Sequence, residues 1–158
     1  MDQKVRILVV DDDETIRTVF QTRLTTEGYY VDTAANGAEA IEKSKVAFYN
    51  LALVDIRLPD MEGTKLLTEM KETVPKIRKI IVTGHPDVTN AIAAVKGAAD
   101  DYIIKPTKLE DLVKAVKEQL RKQTEESKYS ETKVTEFVES RIKHLESDED
   151  TSRNDAAS

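Results

Sequence analysis

Cysteine is absent from the 158 residues, so a disulfide framework, a thiolate metal site and a cysteine nucleophile are all excluded. The chemistry must use oxygen and nitrogen. No run approaches the roughly 18 uninterrupted apolar residues of a membrane span. Met1-Asp2-Gln3-Lys4 leads straight into a strand-like segment and has none of the pattern of a signal peptide. A cytosolic protein with no membrane partner is expected. Also missing from the C-terminal segment is any cluster of basic residues to meet phosphates. With a net charge of -6 as well, direct nucleic-acid binding is not expected. The acids are unevenly spread: ten face five bases from Gln123 to Ser158, so that segment carries -5 and everything before it -1.

What is present fits one globular domain with residues left over. Five short apolar runs, Val5 to Val10, Tyr30 to Ala34, Leu51 to Val54, Ile80 to Val82 and Tyr102 to Ile104, alternate with five helix-like stretches. That alternation implies a parallel sheet covered by helices on both faces. Ile16, Val19, Phe20 and Leu24 recur at helical spacing after Asp13, whose carboxylate can cap the first turn. Asn36-Gly37 opens a second helix, and Gly63 precedes a third in which Leu66, Leu67 and Met70 share a face. A fourth contains Val88, Ala91, Ile92 and Val95. Thr107 and Glu110 have the spacing of a capping box before the stripe Leu109, Leu112, Val113, Val116 and Leu120. The domain is expected to span 1–122. A helical extension over 123–146 follows, with Val134, Phe137, Val138, Ile142 and Leu145 on one face, and then an acidic, aperiodic tail over 147–158.

In an open parallel sheet, groups at the carboxyl ends of the strands converge on one edge. Asp11, Asp12 and Asp13 follow the first strand, Asp55 the third, Thr83 the fourth and Lys105 the fifth. Singly, each is a cap or a loop residue. Together, the carboxylates repel one another unless a cation sits among them, which points to a hard divalent metal with oxygen ligands, Mg2+ first and Mn2+ as the alternative. Asp13 is set aside as a cap. Asp11 and Asp12 can then hold the metal, Lys105 and Thr83 can meet phosphoryl oxygens, and Asp55 is left as the nucleophile.

The segments Ile7-Leu8-Val9-Val10-Asp11-Asp12-Asp13, Leu53-Val54-Asp55-Ile56-Arg57-Leu58-Pro59-Asp60-Met61-Glu62-Gly63, Val82-Thr83-Gly84-His85 and Asp100-Asp101-Tyr102-Ile103-Ile104-Lys105-Pro106 resemble the receiver domain of two-component response regulators. Four motifs in order and at the right spacing carry the likeness over about residues 4–122. The resemblance implies an α/β fold, a doubly wound five-stranded sheet of order 2-1-3-4-5 of the flavodoxin-like kind. It implies Asp55 as phosphoacceptor, Asp11 and Asp12 as metal-binding acids, and the backbone carbonyl of Arg57 as a further ligand. It also implies Thr83 and Tyr102 as a switch pair, and a cis Lys105-Pro106 bond. Ala98 departs from the family pattern, since a glycine often stands there, and Gly97 is its neighbour.

The implied function is acceptance of a phosphoryl group from a histidine kinase or phosphotransfer protein, with output to a protein target through the fourth helix, fifth strand and fifth helix. Such a domain is not an enzyme in the ordinary sense, although it assists its own phosphorylation and dephosphorylation. Two other readings exist. Asp11-Asp12-Asp13-Glu14-Thr15 satisfies the motif of haloacid-dehalogenase-type phosphatases, with Asp11 as nucleophile, and a binding module could keep the fold without phosphorylation. The face from Val134 to Leu145 is either a contact with a second copy of the chain, a contact with its own domain, or a solvated helix.

Overall fold

Ile7 and Val9 face one side of the first strand while Leu8 and Val10 face the other, so one apolar run feeds two cores. The computed structural model describes residues 4–84, 87, 92, 96 and 99–157, with 148–157 as backbone alone. Its strands are β1 (Arg6–Val10), β2 (Tyr30–Ala34), β3 (Leu51–Val54), β4 (Arg78–Thr83) and β5 (Asp101–Ile104). They pair in parallel in the order β2-β1-β3-β4-β5, as expected. The same alternation recurs in β3, where Leu51 and Leu53 join one core and Ala52 and Val54 the other.

Two helical layers cover the sheet. Helix α1 (Glu14–Thr26) buries Phe20 and Leu24 on the face that also takes Leu112, Val113 and Val116 from the C-terminal helix (Leu109–Ala157). On the opposite face lie Ala40 of α2 (Gly37–Val46) and Leu66 and Leu67 of α3 (Gly63–Glu69). Each fully buried leucine contributes about 2 kcal/mol of transfer free energy, so the layers hold through packing more than through helix propensity.

Local chemistry sets the helix starts. Asp13 caps α1 by accepting from the Ile16 amide at 3.2 Å, and Asn36 caps α2 by accepting from Glu39 at 2.8 Å. The capping box expected at Thr107 and Glu110 does not form, because the Thr107 hydroxyl turns to the Lys108 carbonyl at 3.3 Å. The expected fourth helix, with Val88, Ala91 and Val95, lies outside the described residues, as do His85, Gly97 and Ala98; Ile92 and Lys96 are helical.

The C-terminal helix passes without interruption through position 123 and on to Ala157, whereas the sequence reading ended periodic structure near residue 146. No glycine or proline occurs after Pro106, so nothing in the covalent backbone stops the helix once it has started. A solvated helix needs no apolar stripe. The chain divides into two units, Met1–Gln123 and Thr124–Ser158. The described residues of the second are helical and expose Val134, Phe137, Val138, Ile142 and Leu145.

Candidate functional site

Strand pairing brings the acids together. The Asp55 amide donates to the Val10 carbonyl at 2.9 Å and the Asp11 amide to the Ala34 carbonyl at 3.1 Å, which fixes the residues just beyond β1 and β3 side by side. Asp11, Asp12 and Asp55 each offer a carboxylate oxygen within 4.8 Å of the others. Asp11 and Asp55 are buried and Asp12 is exposed, so the cluster has a closed floor and an open mouth. At the far side of the sheet the Lys105 amide donates to the Thr83 carbonyl at 2.7 Å, tying the end of β5 to that of β4. The Lys105 ammonium then reaches back to Asp11 Oδ2 at 2.6 Å and Asp55 Oδ2 at 3.3 Å. The Lys105-Pro106 peptide is cis.

The two buried acids are held differently. Asp11 has both oxygens engaged, Oδ1 by the Asp13 amide at 2.9 Å and Oδ2 by Lys105. Asp55 makes longer contacts, to the Arg57 amide at 3.4 Å and to Lys105 at 3.3 Å. Burial pushes the Asp11 carboxyl above its ordinary value, although the Lys105 hydrogen bond and the Asp13 amide pull the other way. Burial also works to lower the Lys105 ammonium, but Asp11 and Asp55 outweigh it and hold the lysine above its usual value.

The loop after β3 is pressed against the site. Gly63 is packed so closely that a Cβ there would stand 2.1 Å from the Asp55 carbonyl oxygen, and its amide donates to the Ile56 carbonyl at 2.7 Å. Arg57 pairs with Glu62 across this loop, and its side chain is exposed. Asp60, for which the sequence reading gave no role, accepts from the Gly37 amide at 2.8 Å and the Ala38 amide at 2.9 Å, so it pins the loop to the start of α2. Its distance from Gly37 in sequence left no local signal for this contact. The guanidinium of Arg17 donates to the Asp11 carbonyl at 2.7 Å, another link that helical spacing alone did not reveal.

Thr83 is fully buried at the end of β4. Tyr102 pairs with Ile81 in register, packs on the core beneath α2 and α3, and has a buried hydroxyl with no hydrogen-bond partner among the described residues. Thr83, two positions beyond Ile81, lies on that same face of the sheet.

A doubly wound parallel sheet with acids and a lysine at the carboxyl ends of its strands defines the flavodoxin-like class with a site at the topological switch point. Comparison with known proteins narrows this. The family described as response regulator receiver domain matches residues 7–117. A CheY-like receiver domain protein from Methanospirillum hungatei superposes with a TM-score of 0.75 at 43% identity, covering 78% of this chain and 99% of that one. TrrA of Thermotoga maritima, solved in complex with Mg(2+)-BeF, gives a TM-score of 0.65 at 34% identity over 73% of this chain and 98% of that one. The transcriptional regulatory protein ZraR of Klebsiella oxytoca is 38% identical over 85% of this chain and 31% of its own length. The chain belongs to the response regulator receiver domain family and is a receiver of two-component signalling.

The chain spans about a third of ZraR and 60% of SrrA of Staphylococcus aureus, to which it is 34% identical over 93% of its own length. Both are named transcriptional regulatory proteins, so the expectation of no nucleic-acid role, drawn from an acidic C-terminal segment, does not stand as an exclusion. Among the described residues no helix is long and apolar enough to cross a membrane.

Proposed function

We propose that Asp55 is the phosphoacceptor, taking a phosphoryl group from a phosphohistidine of a sensor kinase or phosphotransfer protein. The observation that carries this is the difference between the two buried acids. Both oxygens of Asp11 are committed to short bonds, whereas Asp55 is held only by contacts of 3.3 and 3.4 Å. A carboxylate free to attack in line is the better nucleophile. Its oxygen forms the new bond to phosphorus as the phosphorus–nitrogen bond of the donor breaks, leaving an acyl phosphate. The same contrast argues against Asp11 as a dehalogenase-type nucleophile.

The donor set fits Mg2+: all its members are carboxylates, they lie within 4.8 Å of one another, and exposed Asp12 leaves room for retained waters. Asp11, Asp12 and Asp55 would hold the ion, with the Arg57 carbonyl as a further ligand, and the ion when bound supplies charge neutralisation. Lys105 supplies a second positive charge at the phosphoryl oxygens. Thr83 and Tyr102 share a face of the sheet, and this supports a switch in which the Thr83 hydroxyl moves to the phosphoryl group and repositions the tyrosine ring. The target of that change is a protein partner, and the relatives' names favour control of transcription as the output.

Incubation with acetyl phosphate and Mg2+ should add one phosphoryl mass to the protein, located at Asp55 by peptide mapping. Asp55→Asn should abolish it, and a label on Asp11 would overturn the assignment. The raised Asp11 carboxyl adds a pH signature. A group whose folded pKa is raised favours the protonated folded state below its ordinary value of 3.8, and that stabilisation is lost as pH climbs through the folded value. Mg2+ must displace the same proton, so its affinity by calorimetric titration should fall with decreasing pH at a midpoint above 3.8. In Asp11→Asn the share of that loss carried by Asp11 should disappear.

A further inference from the structure

The second unit carries an apolar face whose complement is written in its own sequence. From Ser127 to Leu145 the residues Ser127, Glu131, Val134, Val138, Arg141 and Leu145 recur at alternating spacings of four and three, which places them on one seam of the helix. Phe137 and Ile142 flank that seam, and all its apolar members are exposed. The Arg141 guanidinium lies over the Phe137 ring at 5.5 Å, so a charge stands among Val134, Val138 and Leu145.

That charge selects the partner and its direction. If a second copy of the helix lies parallel and in register, Glu131 meets Glu131 and Arg141 meets Arg141, a repulsion at two levels. Turned antiparallel about a two-fold axis at residue 136, the same seam sets Glu131 against Arg141 twice, Val134 against Val138 twice, and small Ser127 against large Leu145 twice. Phe137 then approaches its own copy near the axis. Sliding the antiparallel pair by one heptad places Arg141 against Val138, so a single register satisfies every layer.

Net charge agrees. Between Ser127 and Leu145 four bases, Lys128, Lys133, Arg141 and Lys143, balance three acids, Glu131, Glu136 and Glu139, although 123–158 as a whole carries -5. The acidic excess lies outside residues 127–145.

We propose that the helical segment Ser127–Leu145 is a self-association element that pairs with a second copy of this chain in an antiparallel coil, with Glu131 and Arg141 fixing direction and register. The contact is short, so the pair forms reversibly with concentration.

Sedimentation of the full chain from micromolar to millimolar concentration should show a monomer–dimer equilibrium. Glu131→Arg and Arg141→Glu should each weaken it by about tenfold or more, since each replaces two attractive pairs by two repulsive ones. The double variant should restore it, because the swapped charges again meet opposite signs; in a parallel pair the swap would restore nothing. The absence of native cysteine permits a direct check of direction. Under mild oxidation, a mixture of Ser127→Cys and Leu145→Cys chains should form the mixed disulfide, whereas Leu145→Cys alone should not cross-link. A monomer throughout the concentration range, or efficient cross-linking of Leu145→Cys by itself, would overturn the proposal.

Discussion

Gly63→Ala is expected to unfold at a markedly lower temperature than the parent protein and to lose Mg2+ affinity with it. The added methyl group would sit 2.1 Å from the Asp55 carbonyl oxygen and 3.0 Å from the Ile56 Cα, and both are backbone atoms that no side-chain rotation can move aside. Overpacking against flexible neighbours costs about 1–3 kcal/mol, and against fixed backbone the upper end or beyond applies. For a domain of this size, about 3 kcal/mol lowers the thermal midpoint by roughly 10 °C. Relief can come only by pushing the end of β3 away from α3, which carries the Asp55 carboxylate out of the cluster. Gly84→Ala is the control: among the described residues its Cβ would meet only the Lys105 Cβ at 3.9 Å, an ordinary contact. Thermal melts with and without Mg2+ measure both effects, and equal behaviour of the two variants would contradict the geometry.

Lys105→Met should separate the roles of the two positive charges. Without Mg2+ the ammonium is the cation that touches both Asp11 and Asp55, at 2.6 and 3.3 Å, and all three side chains are largely shielded from water. Removing one partner of such a buried set leaves carboxylates facing each other, at a cost of about 3 kcal/mol in the metal-free protein. Added Mg2+ should recover much of that loss by taking over the neutralisation, so the metal-induced rise in thermal midpoint should be larger in the variant than in the parent. Phosphorylation should not recover. A donor aimed at charge developing in the transition state is worth about 100-fold or more in rate, and labelling by acetyl phosphate should slow accordingly even at saturating Mg2+. A variant that labels at the parental rate would remove Lys105 from the chemistry.

The order in which strands and acids occur was legible because its signals are local. Uninterrupted apolar runs mark β1 and β3 whatever surrounds them, Asp13 and Asn36 cap the helices that follow them, and the four motifs sit at the strand ends. The difference between Asp11 and Asp55 was not legible. Both are acids after an apolar strand, and only the placement of the Asp13 amide and the Lys105 ammonium makes one tightly bound and the other loosely held. Asp60 and Gly63 were missed as structural elements for a related reason. A carboxylate that binds amides 22 and 23 residues away, and a glycine required by the carbonyl of Asp55, have no periodic signature.

By itself the sequence determined which residues are oily, which are charged and at what spacing, and hence the parallel sheet, its helices and the family. Only the folded chain decided which carboxylate is bound fast and which is loosely held, and how closely α3 presses on β3. Those outcomes depend on distances of a few tenths of an ångström between segments far apart in the chain. Hydrogen bonding and steric exclusion change steeply over such distances, and neither composition nor periodicity specifies them.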